Sequence, residues 1–300
     1  MPIIQNTHAG AHYALDIAGL PVESLRTISG LDLQADIASG LPGPGLAPEK
    51  HVADVSWTSG RASVGMGMGQ AMYAWMKDAF AQGASRADGT LATADVNFRQ
   101  RSLVTFEDAL LTAVTVPRLD AASKESGAFD IEFAPARVRW AKGDGSDIRH
   151  VHGSKQQPWV CSNFRFSLGT LPCARVASIE SFTWRCAAAP DPGPGAPPPA
   201  AAVTVPDLRI SISLADYDAW AQAARAWFLD GRHLEADEMD GVITLLTPDL
   251  QTPLGEIVLG NVGFKRFSQL PAADGSDALY RFTVDLYVER MSLRLVQFEG

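Results

Sequence analysis

The sequence predicts a mainly β (α+β) chain built from two tandem antiparallel β-barrel or sandwich domains, each with one flanking helix. Three observations predict it: an internal repeat, period-two alternation of apolar residues, and a single helical stripe per repeat with strands on both sides. Tyr13-Ala14-Leu15-Asp16-Ile17-Ala18-Gly19-Leu20-Pro21 reappears as Phe164-Arg165-Phe166-Ser167-Leu168-Gly169-Thr170-Leu171-Pro172, an offset of 171 − 20 = 151 positions. At that offset Ile28 falls on Ile179, Leu31 on Phe182 and Leu33 on Trp184. Further on, Leu119-Asp120-Ala121-Ala122 falls on Leu270-Pro271-Ala272-Ala273, and Phe129, Ile131 and Phe133 fall on Tyr280, Phe282 and Val284. Self-similarity of this kind marks repeated structural units. Strands before and after a lone helix favour an antiparallel sandwich or barrel over a βαβ winding.

Each element follows in order. Residues 13–34 alternate apolar and polar around a turn at Gly19-Leu20-Pro21, giving two half-buried strands; Phe164, Phe166, Leu168, Phe182 and Trp184 repeat the pattern. A Gly/Pro-rich excursion follows, Ser39-Gly40-Leu41-Pro42-Gly43-Pro44-Gly45, matched in copy two by the run from Pro190 to Pro199. Proline cannot donate to a sheet ladder, so both stretches read as extended loops. Next come a strand and a helix. Leu208, Ile210 and Ile212 alternate, Ser213-Leu214-Ala215-Asp216 has the form of a capping box, and Trp220, Ala224, Trp227 and Phe228 make an apolar stripe that Asp230-Gly231 closes. The stripe in copy one is Met68, Met72, Trp75, Met76 and Ala79, with Gly83 beyond its end. Strands over 91–98, 102–116 and 129–140, against 242–246, 255–267 and 279–295, complete each copy. The expected division is 1–142, a polar connection over 143–157, and 158–300.

Bulk composition narrows the function. The 300 residues suit two domains of about 150 each. With 46% hydrophobic and 20% charged residues, the chain is expected to fold throughout. No apolar run approaches the ~20 residues of a membrane helix, and no basic segment followed by an apolar core marks a secretory signal. Cys161, Cys173 and Cys186, an odd set confined to copy two, suggest structural thiols in a reducing compartment. A net charge of −9 with a pI near 5.1 disfavours a dedicated nucleic-acid binder, though it suits a wall past which an acidic cargo slides.

The sequence nominates no catalytic residue, no cofactor site and no metal site. Gly65-Met66-Gly67-Met68-Gly69 departs from a dinucleotide fingerprint at Gln70, and copy two lacks the glycines, so the plainer reading is a flexible helix entry or glycines that allow a neighbouring backbone to approach closely. His150 and His152 form a pair without a third ligand at useful spacing, and His8 and His12 lie near the N-terminus. Glu235, Asp237, Glu238 and Asp240 form an acidic knot without the alternating ligand pattern of a calcium loop, so a solvated turn is expected. No nucleophile, oriented base and oxyanion donor come together, and the chain reads as structural rather than enzymatic.

Copy one resembles the tail-tube proteins of contractile phages and related injection machines. The resemblance rests on an order of motifs: Ile28-Ser29-Gly30-Leu31; the long loop with Ser39-Gly40-Leu41-Pro42-Gly43; a strand ending Thr58-Ser59-Gly60; the helix carrying Trp75; Asp88-Gly89; Phe106-Glu107-Asp108-Ala109; Leu119-Asp120-Ala121-Ala122; and a closing strand over 129–134. Copy two departs from it, with Glu180-Ser181-Phe182 where Ser-Gly-Leu would stand, and joins the resemblance through its likeness to copy one. The family implies two tandem tail-tube-like β-barrel modules that join neighbours edge to edge into six-fold rings stacked as a hollow tube. It implies ring-to-ring contacts at Gly40, Pro42, Gly43 and Pro44 and at Pro192, Gly193 and Pro194. The implied partners are the chain itself and the tube, spike or baseplate proteins, with nucleic acid only as non-specific cargo in the lumen. Three chains would supply six modules to one ring, as in baseplate hubs; six chains would make two rings. The implied place is a virion tail or injection particle, after synthesis in the bacterial cytoplasm. The competing class is a tandem β-sandwich module for carbohydrate or protein, which would cluster Trp57, Trp159 or Trp184 on one exposed face.

Overall fold

In the computed structural model, residues 12–40, 49–148, 159–187, 202–268 and 281–299 are described. The first half runs β1 (His12–Ile17), β2 (Leu20–Pro21), β3 (Leu25–Ser29), β4 (Leu33–Ser39), β5 (Lys50–Trp57), β6 (Gly60–Val64), α1 (Gln70–Gln82), β7 (Arg86–Ala94), β8 (Gln100–Val116), β9 (Leu119–Asp120), β10 (Phe129–Ala134) and β11 (Arg137–Lys142). The second half runs β12 (Phe164–Leu168), β13 (Val176–Ile179), β14 (Phe182–Ala187), β15 (Ala202–Thr204), β16 (Leu208–Ser213), α2 (Tyr217–Phe228), β17 (Met239–Leu246), β18 (Pro253–Ser268) and β19 (Arg281–Leu295). The chain is mainly β, and its strand pairings are antiparallel.

The halves share one topology. Copy one orders its strands β1-β7-β8-β10-β6-β3 and copy two β12-β17-β18-β19-β16-β13. Term by term these are the same sheet. In copy one the two end strands, β1 and β3, approach each other without pairing, so the sheet curls into an open barrel. Even the irregularities coincide: β8 bulges between its pairings to Glu132 and Phe133, and β18 between its pairings to Asp285 and Leu286. A bulge adds one residue to one strand and bends it.

The ladders correct the constant offset. Early strands keep it: Leu15 faces Leu91 as Phe166 faces Ile243, and Ile28 faces Ala62 as Ile179 faces Ile210. Later strands slip. Phe129 faces Val64 as Phe282 faces Ile212, and Ile131 faces Ala62 as Val284 faces Ile210. Phe129 therefore corresponds to Phe282, not to Tyr280, two positions further along. A two-residue slip returns every side chain to the same face, so alternation alone cannot detect it. The continuous strand expected over 129–140 is also divided into β10 and β11, because Pro135, lacking an N–H, interrupts the ladder. In copy two Val288 stands at that place and β19 runs unbroken.

The helices bury the expected stripes except at Phe228. Met72, Trp75, Met76 and Ala79 in α1 and Trp220, Ala224 and Trp227 in α2 are buried, α1 adds Tyr73, and Phe228 at the end of α2 is 45% exposed. Gly83 ends α1 at φ 86°, its N–H on the Ala79 carbonyl. The capping box ahead of α2 is realised differently. Ser213 Oγ accepts from Ala215 N at 3.4 Å and caps a 3-10 turn, while Asp216 turns away to Arg175 at 2.7 Å, so α2 starts at Tyr217. One buried apolar cluster spans both copies, from Leu15 to Leu295.

Gly30 shows why the two copies differ at the Ser-Gly-Leu motif. Its φ is 82°, and a Cβ there would lie 2.0 Å from the Ser59 carbonyl oxygen. Only glycine fits, because β3 leaves the sheet there beside the start of β6. In copy two Ser181 occupies the corresponding place and its hydroxyl donates to the Val116 carbonyl at 2.9 Å, a bond that glycine could not make. Gly30→Ala is expected to destabilise the fold by roughly 1–3 kcal/mol, measured by urea unfolding. Ser181→Gly is expected to cost about 1 kcal/mol.

Candidate assembly interface

The feature that organises the described residues is the joint between the copies, and it is made by sheet edges. β7 covers one edge of β8 only as far as Leu110. Beyond that point β14 takes over the edge, pairing Phe182 with Val116, Thr183 with Thr115, Trp184 with Val114 and Arg185 with Ala113. The Thr115 and Thr183 hydroxyls meet at 2.9 Å. β9 then pairs with β13, Leu119 opposite Ile179 and Asp120 opposite Ser178. A strand edge left bare would expose a row of unpaired N–H and C=O groups; here copy two covers the edge of copy one.

The start of copy two also packs on copy one. Trp159 stacks on Phe129 at 5.5 Å, and its carbonyl accepts from Gly127 N at 2.8 Å. Residues 143–148, within the segment expected to connect the copies, run back along copy one: Gln100 N donates to the Ser146 carbonyl and Ile148 N to the Phe98 carbonyl.

Helix α1 completes the joint by lying against the end of β19. Tyr73 stacks on Phe298 at 5.0 Å and its hydroxyl donates to Glu299 Oε1 at 2.5 Å. Lys77 pairs with the same carboxylate. Gln297 Nε2 donates to the Met66 carbonyl at 2.8 Å, and Phe80 sits 5.3 Å from Trp184. The apolar contacts carry the stability: Trp184, Leu293 and Leu295 are each 1% exposed. The charged group gives direction. The hydrogen bond from Lys77, then the one from Tyr73, holds the Glu299 carboxyl below its ordinary value, and the Glu299 bond raises Lys77. Burial and then the Glu299 bond raise the Tyr73 phenol.

The glycine run, the histidines and the acidic knot have structural surroundings. Gly69 has φ 87° and a Cβ there would lie 2.8 Å from the Pro21 carbonyl oxygen, while Met66 and Met68 are buried; the glycine run is a close backbone crossing. His12 stacks on Phe98 at 3.8 Å, and His8, His150 and His152 lie outside the described residues. In the acidic knot Glu238 accepts from the Tyr287 hydroxyl at 2.6 Å and Asp237 caps Leu234 N. Among the described residues no group of three His, Cys, Asp or Glu is placed to hold a metal ion, and no helix is long and apolar enough to cross a membrane. Cys161 and Cys186 are buried, and burial pushes the Cys173 thiol up to about 11. Trp159 and Trp184 are both buried, at 1% each, so the three tryptophans do not form an exposed platform; Trp57 instead meets Trp140 edge to face at 5.1 Å. A cavity of about 770 Å³ lies at the joint itself, between Phe80, Gly83, Trp184, Val203, Asp240 and Arg290. Of the expected loop contacts, Gly40 closes the β4–β5 hairpin by donating to the Glu49 carbonyl at 2.8 Å. Pro42, Gly43, Pro44, Pro192, Gly193 and Pro194 lie outside the described residues. The edge pairing of β14 on β8 was not foreseen; the only trace of it in the sequence is Trp184 standing where copy one has Leu33.

No family model matches the sequence, and no curated protein matches it. The structure is similar to the anti-feeding prophage cap (AFP tube terminating cap), with TM-score 0.40 and 19% identity over 48% of this chain and 96% of that one. It is similar to a chain of the PVC sheath-tube complex, an extracellular contractile injection system in the extended state, with TM-score 0.39 and 16% identity over 46% and 94%. Hcp1 from Flavobacterium johnsoniae is similar with TM-score 0.29 and 15% identity over 44% and 95%.

Two outcomes follow from the joint. Trp184→Ala removes a fully buried ring between Phe80 and β8 and is expected to cost about 3–5 kcal/mol by chemical denaturation. A carboxyl held low when folded contributes stability that is present above the ordinary value of about 4.3 and lost as pH falls through the lower folded value. Glu299→Gln should therefore flatten the acid limb of a melting-temperature profile below about pH 5 and leave its apolar packing intact.

Proposed function

We infer that this chain is a structural, non-enzymatic subunit of a phage tail or phage-tail-like contractile injection apparatus: a tube, tube-initiator or baseplate hub component that assembles into a hollow ring. The observation that carries the reading is the joint. Two modules of the same strand order are already fused through a sheet edge, which is how a barrel module with bare borders becomes a ring component. The motif order shared with tail-tube proteins through copy one supports the same reading, and so does the acidic balance of a chain whose cargo would be anionic. Two copies per chain, divergent at Gly30 and Ser181, suit a level where three chains present six modules. The alternative of a tandem β-sandwich module for carbohydrate or protein loses its support with Trp159 and Trp184 in the core.

Light scattering and negative-stain imaging of the purified full chain test the proposal. Rings with three-fold or six-fold symmetry and a central channel are expected. A strictly monomeric species at high concentration, with no rings on the grid, would overturn it.

A further inference from the structure

The joint inside the chain is heterologous: copy one contributes α1 and the far edge of β8, copy two contributes β14 and the end of β19. Each copy also carries the surface that the other one uses, and among the described residues neither of these is covered by another strand or helix. On β18 the edge beyond Val262, where β17 stops pairing, has no strand against it among the described residues. Its sequence is Gly263-Phe264-Lys265-Arg266-Phe267-Ser268, and the aligned bulges match Phe267 to Val114 and Arg266 to Ala113. In copy one the hairpin of β4 and β5 is a separate two-stranded sheet whose Leu33, Ile37, Val52 and Val55 are 47%, 54%, 57% and 52% exposed. A two-stranded hairpin is marginal alone, and one this apolar is an open edge awaiting a partner. Its counterpart is β14 with β15, where Arg185 faces Thr204 as Gln34 faces Ser56.

The helix tells the same story. Aligning the buried stripes sets Tyr73, Lys77, Phe80 and Ala81 of α1 against Ala221, Arg225, Phe228 and Leu229 of α2. The first set lies on copy two; the second lines an open groove with Phe267, its Phe228 45% and Leu229 75% exposed. On the receiving side Leu293, shielded beneath α1, matches Trp140, which among the described residues meets Trp57 rather than a helix and is 56% exposed.

We propose that a second copy of this chain occupies both bare surfaces, head to tail, repeating the internal joint between molecules. The β4 strand of one chain adds to the β18 edge of the next with Asp32 opposite Ser268, Leu33 opposite Phe267 and Gln34 opposite Arg266. Phe228 of α2 seats on Leu33 as Phe80 seats on Trp184, and Leu229 reaches Trp140. This rests on the reading of the chain as a self-assembling subunit, and it specifies which residues meet.

The test mixes two full-length variants with one added cysteine each, Leu33→Cys and Phe267→Cys, in a Cys173→Ser background that keeps only the buried Cys161 and Cys186, and oxidises them. A covalent heterodimer is expected, while neither variant alone and no pairing of Val96→Cys with Phe267→Cys cross-links. Phe228→Asp should weaken association by about tenfold to a hundredfold in sedimentation, while Val96→Asp on an exposed position away from the joint leaves it unchanged. Rings that form without the 33–267 cross-link, or that tolerate Phe228→Asp, would overturn this interface and leave the proposed function standing. Monomers throughout would overturn both.

Discussion

Every larger feature of this protein depends on β8 being longer than the strand beside it. β7 pairs along β8 as far as Leu110 and then stops, so Ala113–Val116 offers an edge inside an otherwise covered sheet. Backbone donors and acceptors on such an edge must be satisfied by another chain segment or by water. Copy two supplies the segment. Once β14 is seated, Trp184 is enclosed between Phe80 and the sheet, α1 is pressed onto β19, and the apolar clusters of the two copies become one.

Much of the architecture was legible in the residues. The alternation in Phe129, Ile131 and Phe133 and in Phe282, Val284 and Leu286 names the inward face of matching strands, and the helical stripes are buried where their spacing puts them except at Phe228. The repeat was legible because the same apolar periods recur in the same order. What the pattern could not fix was the count between them. A slip of two keeps the face, so the correspondence of Phe129 with Phe282 needed the ladder. Pro135 was visible as a breaker, yet the continuous copy-two strand hid its effect.

The joint was less legible, for a physical reason. Pairing between distant segments leaves no periodic trace, and β14 has the same alternation whether it is covered or bare. The difference between copies lies in side-chain size at one register: Trp184 fills a buried site where Leu33 is half exposed. Gly30 and Ser181 mark the same divergence in the backbone, one permitting a left-handed turn and the other bonding across the joint to Val116. Tyr73, Lys77 and Glu299 could not be associated from sequence at all, since the first two belong to copy one and the last ends copy two, and they meet only after both sheets have folded.

The anchoring of residues 143–148 along β8, and of Trp159 beside Phe129, has a kinetic corollary. Both ends of the connection are pinned on the first module, so the second module searches for its docking edge as a tethered body, at a local concentration on the order of millimolar. That encounter is indifferent to dilution. Any contact between separate molecules obeys mass action instead, so one contact geometry, used twice, would close first within each molecule and later, above a threshold amount of protein, between them.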